Sequence, residues 1–433
     1  MVKNHNARRW NIISSLSRKN LTLSGQIKKY AEASPDPEKS HYMKKLSNKI
    51  AACASMSLMA ESKEKGTEGI TAYYCSDKIC YVCNSQRRRS TVRKYVSWFE
   101  QNETMLEISV KSGTKVVTRN QYQKTYKHLP VLASVSYDIM HLVLTVPHTL
   151  ERGWRGSQLY YDGIQQAFKQ MRRLQFWKDM VLGGEYGIET ERKANGNHIH
   201  LHILVFVRSG RQNRNQLHRE IFTNWNRLSI DPGNTRKPFS DYERAQMKKG
   251  NALLTDADLA LMDPRGATIL SLESIFIKNP VTGEKERGIK WGDKNFIKAV
   301  MEAIKYHFEP LFFNKTNKEI DLDMIADLKP ILHGRALYEK FGCLRGESCL
   351  NLSADIESEY SEVSEDIDTD TGELLNREHY IVNPRFMFGD DEKITWSRRA
   401  LDTRQKLRVN STREAVQQLS NLIKVSGKTG KLG

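Results

Sequence analysis

The stretch Asn197-His198-Ile199-His200-Leu201-His202-Ile203-Leu204-Val205-Phe206-Val207 decides how the rest of the chain reads. It alternates polar and apolar residues, then runs into an apolar, β-branched end, which is the period of a strand with one buried face. Side chains two apart on a strand point the same way. His198, His200 and His202 therefore share one face, and Ile199, Leu201 and Ile203 share the other. Imidazoles in a row on a sheet must meet solvent, pair with acids or bind a metal, and imidazole is a common ligand of borderline divalent ions. Three of them beside an intact apolar face weigh against a merely solvated strand.

Working outward, Gly183 to Glu191 reads as a strand, and Ala194-Asn195-Gly196 as the hairpin turn into the histidine strand. Further upstream, Ile139 to Val146 is a mostly apolar strand broken by Pro147, and Ser157 to Lys178 is an amphipathic helix with Ile164, Phe168, Met171 and Leu174 on one stripe. Downstream, Leu217, Ile221, Trp225 and Leu228 mark a helix, the polar stretch 230–266 reads as an insertion, and Ala267 to Ile277 returns to a strand. The succession β-α-β-β-α-β over 126–315 predicts an α+β fold with a ferredoxin-like antiparallel sheet. Helices cover one face of such a sheet, so the histidine face is expected to be the open one. A further helix, about Asp293 to Phe308, buries Phe296, Ile297, Val300, Ala303, Ile304 and Phe308 and stops at Pro310. Lys298, Glu302 and Tyr306 follow at i, i+4 and i+8 and stack along its opposite face.

The chain has 433 residues, a formal net charge of +17 and six cysteines. Its length allows two or three domains with real cores. Lys and Arg are spread along it, and a large protein this basic usually meets a polyanion, most often nucleic acid. No apolar run is long enough to span a bilayer, and the first residues show no secretory signal, so the expected location is the cytoplasm, with no membrane partner. Clustered cysteines there point to a metal site rather than to disulfides. Cys75-x4-Cys80-x2-Cys83, with Cys53 upstream, suits a closed tetrahedral Zn2+ site. Arg87, Arg88 and Arg89 follow directly and are expected to clamp phosphate. Thr91 to Glu107 reads as a core helix through Val92, Tyr95, Val96, Phe99 and Leu106.

The expected organisation is a basic arm over 1–50, with Arg8, Arg9, Lys28, Lys29, Lys44 and Lys45, then a four-cysteine zinc-binding region over 51–125. The sheet domain over 126–315 follows, then an accessory region over 316–433 that is mostly helical or disordered. Within that last region Asp355 to Glu373 lacks Lys and Arg and reads as a flexible acidic linker. A basic helix is expected through Ala415, Leu419 and Leu422, ahead of a disordered Gly- and Lys-rich end.

Together these pieces resemble the replication initiators of rolling-circle plasmids, the single-tyrosine Rep group of the HUH endonucleases. The resemblance covers roughly 50–310, with the motifs in order. It rests on the cysteine knuckle with its arginines, on Leu142-Val143-Leu144-Thr145, on His198 to His202 with Glu189 on the preceding strand, and on Glu302-Ala303-Ile304-Lys305-Tyr306. Two positions depart from the usual pattern: Ile199 stands where the family often has Pro, and Glu309 where it often has Lys.

The resemblance implies a metal-dependent DNA nickase. His200 and His202 would hold Mn2+ or Mg2+, with Glu189 or His198 as third ligand. Tyr306 would be the nucleophile, leaving a 5′-phosphotyrosine and a 3′-OH primer. Glu302 would act as base on water in a second cleavage, and Lys305 would stabilise the developing charge. The implied partners are plasmid origin DNA, presented as a single-stranded or hairpin nick site with flanking duplex, and a host helicase and polymerase. Two other readings fit the same motifs: an HUH single-strand transposase or relaxase, and a zinc-dependent DNA-binding protein without catalysis.

Overall fold

The computed structural model describes residues 5–62, 66–147, 154–193, 196–209, 214–230, 237–250, 254–275, 277–278, 282, 285–286, 300–301, 304, 312–314, 319–332, 337–347, 350, 377–389, 394–396, 398, 402, 404–409 and 411–429. They form two compact units, Met1–Ser90 with Asn351–Gly433, and Thr91–Leu350.

The first unit opens with two long helices, α1 (His5–Ala33) and α2 (Pro37–Ala52). Asp36 caps α2 by accepting from the backbone N–H groups of Glu38 and Lys39, and Pro37 follows it in the first turn, where a missing N–H costs nothing. Ile13, Leu23 and Ile27 of α1 are buried, as are Met43, Leu46 and Ile50 of α2. The helices touch closely at two small residues: Ser24 Oγ donates to Ser47 O at 3.0 Å and Ser47 Oγ to Ser24 O at 2.8 Å. Residues 5–50 are thus not a loose arm. Buried Ser17, Asn20 and Ser24 interrupt the apolar stripe, which is why the stripe does not stand out in the sequence. Strands β1 (Ser57–Ser62) and β2 (Gly66–Ala72) pair antiparallel. Helix α3 (Tyr81–Gln101) begins in this unit, ten residues before the expected start at Thr91, and carries Cys83 and the three arginines in its first turns.

In the second unit β3 (Met105–Val110), β4 (Gly113–Val117) and β5 (Val131–Val135) make a small sheet, with the short helix α4 (Arg119–Gln121) between β4 and β5. Leu106, expected on a helix, lies on β3. The main sheet follows as β6 (Tyr137–Thr145), α5 (Trp154–Met171), α6 (Gln175–Met180), β7 (Val181–Lys193), β8 (Gly196–Arg208), α7 (Arg214–Leu228) and β9 (Leu270–Ser274). The helix expected over 157–178 is therefore broken in two, and Leu174 stands at the N-cap position of the second piece without a side-chain cap. In the sheet, β7, β8, β6 and β9 lie side by side in that order, all antiparallel.

The face with Ile199, Leu201 and Ile203 is fully buried. Aromatic contacts and one hydrogen bond tie helices to this sheet: Phe168 of α5 meets Tyr186 edge-on at 5.1 Å, and Trp225 of α7 donates its indole N–H to Thr145 O at 2.6 Å. The histidine face is not open throughout. Beyond His202 it continues into Leu204 and Phe206, which join a core with Trp98 and Phe99 of α3 and with Val300, Met301 and Ile304. Trp98 stacks on Phe206 at 5.6 Å and 13°.

The stretch expected as an insertion carries α8 (Asp241–Gly250) and α9 (Asp256–Leu261), with its own core of Phe222, Phe239, Met247, Leu254, Leu259 and Met262. After α10 (Leu322–Leu332), strand β10 (Tyr338–Gly342) adds an antiparallel edge to β7, so residues up to 350 belong with the histidine sheet and not with a separate tail. In the first unit, β11 (Arg377–Val382) pairs with β1, and β12 (Gln405–Lys406) pairs with β11. The last helix, α11 (Thr412–Thr429), buries Ala415 and Leu419 against Leu58 and Ile381, while Leu422 stays exposed. The acidic stretch 355–373 and the end 430–433 lie outside the described residues. Among the described residues no helix is long and apolar enough to cross a membrane.

Candidate metal centres

Register brings the first site together. On neighbouring antiparallel strands, residues directly opposite share a face. Glu189 of β7 stands opposite His200 of β8, and Gly187 opposite His202. Glu189 therefore sits beside both imidazoles, while Gly187 leaves room next to His202. Glu189 Oε2 lies 2.6 Å from His200 Nε2 and 3.0 Å from His202 Nε2. One ligand atom from each of the three residues falls within 4.8 Å of the others. Both histidines are buried and the carboxylate is half-buried. Burial opposes the charge on Glu189, but the imidazoles of His200 and His202 overcome it and hold the carboxyl well below its usual range. Burial also pushes the His202 imidazole down to about 4, against the pull of Glu189. A neutral imidazole with a lone pair beside an ionised carboxylate is what a divalent cation requires of its ligands.

Of the two expected third ligands, Glu189 groups with His200 and His202. His198 lies next along the strand, its ring 5.0 Å from that of His200 and tilted by 42°. A residue the motif does not name stands behind the site. His141 of β6 places Nε2 3.1 Å from His202 Nδ1, with the rings stacked at 5.3 Å and 25°. If His202 presents its Nε2 lone pair to an ion, its proton is on Nδ1 and His141 accepts it; such partners fix the tautomer and orientation of ligating imidazoles. The only sequence signal for this role is a lone histidine in an apolar strand. Glu185, on the same face of β7, is buried and accepts from the Tyr95 hydroxyl.

Glu302, Lys305 and Tyr306 lie outside the described residues, as does Lys298. Their neighbours Val300, Met301 and Ile304 are described and buried, and Ile304 N donates to Val300 O at 3.2 Å, a helical bond. These three residues pack in one core with Leu204 and Phe206, on the sheet face that carries the histidines.

The second site lies wholly in the first unit. Cys53 follows α2, Cys75 and Cys80 sit in the loop after β2, and Cys83 is in the first turn of α3. All four are buried, and their sulfurs lie within 4.8 Å of one another. Individual S···S separations are 3.6 Å for Cys53–Cys83, 3.7 Å for Cys75–Cys83 and 3.3 Å for Cys53–Cys80. A tetrahedron with Zn–S bonds of about 2.3 Å has edges of about 3.8 Å, so the sulfurs fit a tetrahedral ion closely. Burial pushes the Cys53 thiol up, whereas hydrogen bonds from Cys53, Cys75 and Cys80, with Arg87 nearby, hold Cys83 down. Four buried sulfurs cannot all ionise without a cation, and a divalent ion removes that conflict.

Two further residues support the thiol cage. Asn20, fully buried in α1, donates to Cys80 Sγ at 3.1 Å and accepts from Tyr81 N at 3.0 Å. Arg385 donates to Ser17 Oγ at 2.8 Å, to Cys53 O at 3.4 Å and to Ala51 O. Of the three arginines expected to clamp phosphate, Arg87 is turned inward. It donates to Ser76 O at 2.6 Å, Asn84 Oδ1 at 2.7 Å and Asp77 O at 3.3 Å, and so braces the knuckle loop. Arg88 is exposed and Arg89 half-buried.

Comparison of the chain with protein-family models, with curated proteins and with solved structures returns no match.

Proposed function

We propose that the chain is a rolling-circle replication initiator of the HUH type, which nicks one strand of plasmid origin DNA and joins itself to the 5′ end. The observation that carries this reading is the convergence of Glu189, His200 and His202 on one sheet face. The β-α-β-β-α-β succession and the antiparallel strand order β7-β8-β6-β9 support it, since a ferredoxin-like sheet would have that arrangement. So do buried Val300, Met301 and Ile304, which share a core with Leu204 and Phe206 of the histidine face and precede Tyr306 in the sequence.

A divalent ion, Mn2+ or Mg2+, held by Glu189, His200 and His202 would polarise the scissile phosphate and neutralise its charge. The phenol oxygen of Tyr306 attacks phosphorus, the P–O3′ bond breaks, and O3′ leaves as a hydroxyl that primes synthesis. The new P–O bond conserves the energy of the cut strand, so rejoining needs no nucleotide cofactor. Lys305 offsets the developing charge, and Glu302 takes a proton from water in the later cleavage. The four cysteines hold Zn2+ and keep the start of α3 in place, with exposed Arg88 beside it for the DNA backbone.

The test is incubation of the protein with supercoiled plasmid carrying the parent origin and Mn2+. An SDS-resistant protein–DNA adduct that is absent in Tyr306→Phe and in His200→Ala is expected. Tight origin binding with no adduct under any metal would favour the non-catalytic DNA-binding reading instead.

A further inference from the structure

One cavity in the second unit has no part in the chemistry above. It measures about 380 Å³ and lies between α7, α8 and the start of β9. His218 and Phe222 line one wall with their rings stacked at 6.1 Å and 11°. Gln246 and Met247 line the α8 side. Two lining residues, Tyr242 and Ile269, are 73% and 71% exposed, an unusual degree for such large side chains.

The chemistry of the walls narrows what belongs there. Among the described lining residues the one formal carboxylate is Glu243, and it is engaged as a helix cap, accepting from Ser240 N at 2.9 Å and Ser240 Oγ at 3.2 Å. None of these lining residues is Lys or Arg, so the space is not built for a phosphate. Flat rings with an amide and a hydroxyl, from Gln246 and Thr268, suit an uncharged planar group with hydrogen-bonding edges. The cavity is also tied to the histidine sheet. Thr145, which faces His200 across β6 and β8, donates its hydroxyl to the carbonyl of Ile269 at 2.5 Å. Thr145 thus joins the strand that faces His200 to the segment that lines the cavity, and the net charge of +17 supplies long-range attraction for a nucleic-acid strand.

We infer that this cavity takes one unpaired nucleobase of a single strand, with Tyr242 stacking on the base and Gln246 reading its edge. The inference rests on the proposed strand-nicking reading for the source of that strand, but the binding itself needs no metal. Aromatic side chains that stack on bases typically supply a large part of single-strand affinity.

The test uses the full chain in EDTA and short single-stranded oligonucleotides, each with one 2-aminopurine at a different position. The wild type is expected to quench 2-aminopurine at one position. Tyr242→Ala should lose that quenching and raise the Kd by about tenfold, whereas Tyr242→Phe should retain both. Gln246→Ala should change which base is preferred at that position. Tyr242 is exposed, so its removal leaves the fold intact. Equal affinity of Tyr242→Ala and wild type, quenching at no position, or no single-strand binding by the wild type would each overturn the inference. Adduct formation with Mn2+ is measured in parallel. An adduct without any Tyr242 effect sinks the base pocket alone, and a Tyr242 effect without any adduct sinks the nicking reading alone.

Discussion

At the scale of single residues, the side chains that decide both sites are the ones that orient ligands. His141 touches no candidate ion, yet its contact with His202 Nδ1 determines which nitrogen of His202 faces Glu189. His141→Ala should therefore weaken Mn2+ binding by about 10- to 100-fold, the usual effect of removing such a partner. His141→Gln, which keeps a hydrogen-bonding group, should recover part of it. Mn2+ titration followed by electron paramagnetic resonance reads this directly, and unchanged affinity in the alanine variant would remove His141 from the site. Asn20 plays the matching part in the cysteine cage, because its amide serves both Cys80 Sγ and Tyr81 N. Asn20→Ala leaves a buried N–H unpaired and should cost about 1–3 kcal/mol, with faster loss of metal to a chelator. A melting temperature and release rate equal to wild type would show that the amide is dispensable.

At the scale of elements, what the sequence reveals depends on where periodicity is clean. The strand over 197–207 and the helix through Leu217, Ile221 and Trp225 have unbroken patterns, and both are found as β8 and α7. Glu189 stands in the sequence only as one of two third ligands that the resemblance implies, the other being His198; the register that sets it opposite His200 is a property of the folded sheet. β10 is not legible: Tyr338-Glu339-Lys340-Phe341-Gly342 has mixed polarity, and it becomes a strand only because β7 offers a free edge. Three glycines of that edge, Gly183, Gly184 and Gly187, pair with it. A Cβ on Gly184 would meet Leu204 O at 2.2 Å and Phe341 Cζ at 2.9 Å. Gly184→Ala should overpack this layer by about 1–3 kcal/mol and lower the melting temperature, and a neutral effect would mean the sheet relaxes freely there. The helical insertion is fastened differently, by Asp258 at the start of α9. The hydrogen bond from Arg219, aided by the Thr255 backbone, holds its carboxyl down to about 2 from 3.8. A lowered carboxylate contributes stability above its unfolded value and loses it as pH falls. The protection factors of the amides in 240–250 and 254–262, which correct for the intrinsic exchange rate, should therefore fall as pH drops from about 4 towards 2. Arg219→Gln should move the midpoint upward; a midpoint insensitive to that change would show that the pair does not fasten the helices.

At the scale of the whole molecule, the two candidate metal centres belong to different units, and this makes their contributions separable. All four cysteines lie in the unit made of Met1–Ser90 and Asn351–Gly433, whereas Glu189, His200 and His202 lie in Thr91–Leu350. The first unit joins the two chain ends through β11 on β1, so its fold depends on contacts between residues more than three hundred positions apart. Closing so long a loop is entropically costly, and a cage that links α2, the loop after β2 and α3 offsets part of that cost. Ions in the two sites should also differ in tenacity, since a closed four-thiolate cage releases zinc far more slowly than an open imidazole–carboxylate site releases Mn2+. Calorimetry of the full chain should accordingly show more than one transition. Brief EDTA treatment should lower only the transition of the histidine unit, and only prolonged exposure to a strong thiolate-competing chelator should lower the other. Elemental analysis after the brief step should find about one zinc per chain and no manganese. A single transition that falls as one on either treatment would mean that the cage and the histidine sheet fold together, and that the metal in one site bears on the stability of both.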